Sequence, residues 1–245
     1  MAADLTINPA DGPKGQTSTQ FAVLALSRSS RVRLIDFPED IFKSIEPVLR
    51  SSWPPGIKSE QWNKGAYEYI LKEKPWGLFG ATAGICAHYL LRDILRFLYE
   101  HGWHLATPIS ANSAPQPCDS LLFRHTPSPS GTPAAQFMAV QISGAAQLTL
   151  HGADDEMVDA FQQVLVRMGV LEGAAMPVQE SHTFKLRQAA WYNIEEKTMR
   201  MRRLIIATAQ LMEARGWATY GTIRQRAGSK DVRVPDSWYF IKVPS

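Results

Sequence analysis

Four side chains in the middle of the chain carry the chemistry of a metal site. His101, His104, Cys118 and His125 offer three imidazoles and a thiolate, the ligands that zinc prefers. Their spacing argues against a site. His101 and His104 straddle a predicted helix end, and where the chain is aligned with itself their counterparts are Arg215 and Ala218. Surface histidines and a buried thiol are the expectation, with no metal and no cofactor implied. Asp119 and Asp236 are matched carboxylates of the kind that can share a proton across a twofold axis. No Asp-Thr-Gly-like context surrounds them, so they read as acceptors of backbone hydrogen bonds in turns. Cys86 sits on the apolar face of a predicted helix beside Ala87, which does not suit a nucleophile. The chain has no phosphate-loop GxxxxGK[ST], no GxGxxG, no HExxH, no paired CxxC and no GxSxG.

The cations are more informative. "KTMRMRRL", Lys197 to Leu204, places four positive charges in seven residues at the start of a predicted helix. Met201, Leu204, Ile205, Thr208 and Met212 would face the core, leaving Arg200, Arg202 and Arg203 on the flanks and outer side. Residues 183–245 hold 12 basic against 5 acidic residues, whereas 151–182 hold 6 acidic against one basic. Such polarity makes phosphates of RNA, DNA or a lipid headgroup plausible partners, with Arg200, Arg202, Arg203, Arg224, Arg226 and Lys230 as ligand-binding candidates. Trp53 and Trp62 flank "PPGIKSEQ" and mark a second candidate surface, a loop for a protein partner.

These side chains must be held by elements, and the elements are written twice. "FAVLALSRSSRVRL" from Phe21 aligns without a gap on "FMAVQISGAAQLTL" from Phe137, an offset of 116. In the same register Ile41, Phe42, Ile45, Val48 and Leu49 fall over Met157, Val158, Phe161, Val164 and Leu165, one apolar helix face in each copy. Trp76 then matches Trp191, "LLRDILRFLYEHGW" from Leu90 matches "LIIATAQLMEARGW" from Leu204, and Asp119-Ser120 matches Asp236-Ser237. Each copy reads strand, strand, helix, strand, helix, strand, strand. The fold class is therefore α+β, an internal duplication with mostly antiparallel sheets, helices on one face and a pseudo-twofold arrangement of the copies. Gly102 and Gly216 are placed to end the long helices, while Trp76, Trp103, Trp191 and Trp217 read as core anchors.

The expected organisation is a flexible tail over 1–19, a first repeat over 20–125, a Pro/Ser/Thr linker over 126–135 and a second repeat over 136–245. The linker contains Thr126-Pro127, Ser128-Pro129 and Thr132-Pro133, which suit a proline-directed kinase. Only two cysteines, no signal-like N-terminus and no apolar run near the roughly 20 residues of a membrane helix point to a soluble, cytoplasmic or nuclear protein. A net charge of +3 is too mild to name a partner. The expected function is a non-catalytic binding or adaptor protein for an anionic ligand or a protein; the alternative is an enzyme whose site lies between the repeats. No resemblance to a named family emerges from these residues.

Overall fold

A computed structural model describes residues 20–27, 29–76, 81–109, 120–126, 134–143, 146–173, 175–187, 195–224 and 237–244. The first repeat contains β1 (Phe21–Ser27), β2 (Arg31–Ile35), α1 (Glu39–Ser44), α2 (Glu46–Ser52), β3 (Ile57–Asn63), β4 (Ala66–Leu71), α3 (Ala81–Glu100), β5 (Trp103–Ile109) and β6 (Ser120–His125). The second contains β7 (Gln136–Ser143), β8 (Gln147–His151), α4 (Asp155–Arg167), β9 (Met176–Val178), β10 (Ser181–Lys185), α5 (Glu195–Ala214), β11 (Ala218–Ile223) and β12 (Ser237–Lys242). The tail at 1–19, linker residues 127–133 and Cys118, Asp119, Trp191 and Asp236 lie outside the described residues.

The duplication holds down to register. The first sheet runs β3-β4-β2-β1-β6-β5 and the second β9-β10-β8-β7-β12-β11, both wholly antiparallel. Leu24 pairs with Leu34 and Val140 with Leu150, the same pair displaced by the offset read from the sequence. Gly102 and Gly216 end α3 and α5 with φ of 78° and 76°, the left-handed stop that glycine permits. At Gly102 a Cβ would lie 2.7 Å from the Thr126 carbonyl oxygen, so no other residue fits there. Asp154 caps α4, its carboxylate accepting the Met157 N–H at 2.8 Å. The matching helix of the first repeat breaks into α1 and α2 because Pro47 has no N–H to donate to the Lys43 carbonyl.

Two expectations need correction. Each repeat has six strands rather than five: in the first, most of the expected "PPGIKSEQ" loop is itself edge strand β3, and in the second β9 forms the matching edge. Lys64 and Gly65, both at positive φ, turn β3 into β4 as a two-residue hairpin. The second correction concerns how the repeats meet. A pseudo-twofold would lay α5 on β1 and β2 just as α3 lies on β7 and β8; among the described residues α5 packs instead on α4 and β11. The arrangement is head to tail: first sheet, its helices, second sheet, its helices.

Residue alternation along β7 makes this stacking possible. Met138, Val140 and Ile142 join the core under α4 and α5, while Phe137 and Ala139 point the other way, into the core built on α3. Tyr239 and Ile241 of β12 do the same. α3 therefore belongs to two layers, its Leu90, Leu91, Ile94, Leu95 and Leu98 all fully buried. The matched tryptophans Trp103 and Trp217 are buried anchors, and Trp76 donates its indole N–H to the Arg31 carbonyl at 3.2 Å. Truncating the shared helix with Leu95→Ala is expected to cost roughly 2–5 kcal/mol in urea unfolding while the chain still unfolds in one transition. Two resolved transitions would mean that the repeats are independent units.

Candidate functional site

Two places bring chemistry-bearing side chains together. The first is the joint between the repeats. Tyr89 Oη lies 2.6 Å from Ser181 Oγ, Ser181 Oγ lies 2.9 Å from His151 Nδ1, and His151 Nε2 lies 3.0 Å from Gln141 Oε1. The Gln141 carbonyl oxygen only accepts, so Nε2 carries the proton, Nδ1 accepts from the Ser181 hydroxyl, and Tyr89 donates to Ser181. His88 stacks on His151 with centroids 4.9 Å apart, and its Nδ1 is 3.4 Å from Tyr239 Oη. A serine hydrogen-bonded to a histidine is nucleophile and base at working distance. Ser181 and His151 nevertheless have no exposed surface, so a substrate cannot reach them. Burial, then the neighbouring His88 and Arg92, hold the His151 ring well below the usual histidine range, which keeps it neutral. The cluster serves as a fully satisfied polar joint.

The second place is on the outer helical layer of the second repeat. Arg167 is the last residue of α4, followed by Met168 and by Gly169 at φ 65°. The Leu171–Leu186 bridge and the hydrogen bond from the Arg187 N–H to the Val170 carbonyl at 2.9 Å bring Arg187 beside that exit. On α5, Leu204, Thr208 and Met212 point inward at spacing i, i+4, i+8, which leaves Arg200, Arg203 and Ala207 together on one flank. These pieces line an open cleft of about 640 Å³ whose charged walls are Arg167, Arg187, Arg200 and Arg203. Among the described residues the guanidinium groups of Arg167, Arg187 and Arg203 have no carboxylate partner.

Arg200 and Arg203, expected from the sequence, are thus brought together, and Arg167 and Arg187 join them. Arg202 projects elsewhere on α5, its Nη1 3.7 Å from Met199 Sδ, and Arg224 is exposed just beyond β11. Arg226 and Lys230 lie outside the described residues. The expected aromatic loop is divided: Trp53 is buried and donates to the Lys72 carbonyl at 2.9 Å, whereas Trp62 stands 64% exposed on β3 against Phe42 and Tyr67. In the first repeat the positions matching the four cleft arginines are Ser51, Lys72, Cys86 and Tyr89. Two of these face the second repeat: Cys86 Sγ lies 3.8 Å from Gln179 Oε1, and Tyr89 meets Ser181. His101 Nδ1 is 2.8 Å from the Phe97 carbonyl oxygen, and burial, then His125, lower the pKa of His104.

One domain-family model matches the chain twice, over residues 20–124 and 136–241, so the chain belongs to that family as a tandem pair of its domains. No curated protein matches the chain, and no solved structure does. Among the described residues, no helix is long and apolar enough to cross a membrane.

The buried joint gives a pH dependence of known sign. The folded His151 stays neutral, whereas the unfolded ring takes up a proton below about 6.5, so stability falls as the pH drops through that window, by up to ~1.4 kcal/mol per unit. Urea unfolding at about pH 7 and about pH 5 should show this loss, and His151→Gln should reduce it. Equal slopes for the two proteins would remove His151 from the joint's electrostatics.

Proposed function

We propose that this chain is a non-catalytic binding protein whose second repeat takes a phosphate-bearing ligand in the cleft between α4 and α5. The observation behind this reading is the convergence of Arg167, Arg187, Arg200 and Arg203 from three separate elements on one open cleft. Guanidinium groups present forked donors that match phosphate oxygens two at a time, and they keep their charge at any physiological pH. Cations that the fold pairs internally look different: Arg31 and Arg33 of β2 both donate to Glu68, the first at 2.7 Å, and the Glu68 carboxylate is wholly buried between them. Burial alone would raise the pKa of Glu68, but hydrogen bonds from Arg33 and Arg31 outweigh it and hold the carboxyl below the usual range. Three of the cleft arginines have no such partner among the described residues.

Among the described residues the cleft is lined by no general base or nucleophile, which favours binding over catalysis. The sealed Ser181–His151 pair, the best catalytic geometry among the described residues, supports the joint rather than the enzyme alternative. Isothermal titration of the full chain with inorganic tripolyphosphate at low ionic strength tests the reading. Arg200→Glu with Arg203→Glu is expected to weaken binding by at least about tenfold, the scale of removing charged hydrogen bonds, with an unchanged melting temperature because both side chains are exposed. Undiminished binding by the double variant would reject the cleft.

A further inference from the structure

The cleft lies within an unusual surface. Val166 beside Arg167, and Met199, Ile205 and Ile206 on α5, are 59, 49, 45 and 55% exposed, so four large aliphatic side chains stand in water on the same two helices as the cleft arginines. On α5 the residues Met199, Arg202, Arg203 and Ile206 follow i, i+3, i+4, i+7 and share one outward stripe. α3 and α5 are both 20 residues long, and their alignment puts Ile85, His88, Tyr89 and Arg92 in the same four places of the first repeat. That stripe is docked on the second sheet, with Ile85, His88 and Tyr89 buried and Tyr89 bonded to Ser181. In α3 this side of the long helix is packed against a sheet, and in α5 the same side carries Met199, Arg202, Arg203 and Ile206.

We infer that the α4–α5 face docks on an anionic phospholipid bilayer, the arginines binding lipid phosphates and Met199 and Ile206 entering the headgroup layer; this rests on the phosphate reading of the cleft. Charge complementarity and composition select that occupant. A second copy offering its uncovered first sheet would present Arg31 and Arg33, whose pairing with Glu68 already uses that carboxylate, and Arg124, so these residues bring no counter-charge to Arg202 and Arg203. Single-stranded nucleic acid is held by basic grooves with stacking aromatic rings, and among the described residues the exposed apolar side chains of this face are aliphatic. Aliphatic side chains interleaved with arginine suit an interface in which hydrocarbon and phosphate lie a few ångströms apart. The layer is also polarised along its length. The cleft occupies the α4 C-terminal and α5 N-terminal end, while the Glu156–Arg215 pair at 2.7 Å neutralises the opposite end, so the cleft end meets the lipid first.

Co-sedimentation of the full chain with phosphatidylcholine vesicles, with and without phosphatidylserine, tests this, alongside tripolyphosphate titration. The chain is expected to partition onto the phosphatidylserine vesicles only. Met199→Ser with Ile206→Ser should lower that partitioning by about tenfold, the scale of losing two partly inserted aliphatic side chains, and leave tripolyphosphate binding unchanged. Ile206→Trp should raise it, since indole favours the headgroup region. Absence of vesicle binding, or partitioning unaffected by the serine pair, overturns the bilayer assignment. Retained tripolyphosphate binding in that case leaves the phosphate cleft standing, loss of both overturns both, and single-stranded RNA binding without vesicle binding would give the face to nucleic acid.

Discussion

α3 has to satisfy two sheets at once, and the rest of the architecture follows from that requirement. One side of the helix supplies Leu90, Ile94 and Leu98 to the core of its own repeat. The other side meets Phe137, Ala139, Tyr239 and Ile241, which β7 and β12 turn away from their own helices. A helix packed between two sheets has no solvated stripe on which to leave polar groups, so every polar atom placed there needs a partner. Tyr89, Ser181, His151 and Gln141 meet that condition as a single chain of hydrogen bonds. Asp93 does so through Ser52 at 2.7 Å and Arg92 at 2.9 Å. The second sheet's outer face carries Thr149, Thr183 and Ser181 with little or no exposure, a composition that would read as solvated were the first repeat not lying on it.

α5 is the same helix relieved of the second sheet. Its inner side is retained as Leu204, Thr208 and Met212, and its outer side is not covered by any sheet among the described residues. Arginine and aliphatic residues occupy that side, and α4 and the segment after β10 contribute Arg167 and Arg187 to the same end. Duplication thus gives one chain two copies of the same helix side, one packed between the repeats and one exposed. The guanidinium of that side in α3, Arg92, is held by the Asp93 carboxylate at 2.9 Å, as a desolvated cation requires, whereas Arg202 and Arg203 of α5 are exposed.

Much of the fold was legible because duplication supplies an internal control. Paired glycines, paired tryptophans and a constant offset identify elements that neither copy would establish alone, and Leu24–Leu34 against Val140–Leu150 shows the offset to be structural. β3 escaped notice since an uncovered edge strand needs no apolar alternation, and five of its seven residues are exposed. The head-to-tail stacking was present in "FMAVQI", an unbroken buried run where "FAVLALS" alternates, but it reads as a stacking signal only once a covering helix is known. Arg200 and Arg203 stand out as a helical pair. Arg167 is the one cation of an acidic segment and Arg187 follows a strand, so only the close of β10 against the α4 exit brings them to the cleft. Trp53 and Trp62, alike in sequence context, separate into core and surface because one precedes the turn into β3 and the other lies on the free edge.

The central claim is that the released side of α5 forms a phosphate cleft distinct from the paired arginines elsewhere in the chain. The most direct measurement is a tripolyphosphate titration of the full chain followed through the arginine Nε–H resonances. Perturbations are expected at Arg167, Arg187, Arg200 and Arg203, saturating together, with Arg31 and Arg33 unmoved in their pairing with Glu68. Shifts scattered over all the arginines without saturation, or no shift at the four, would contradict the account.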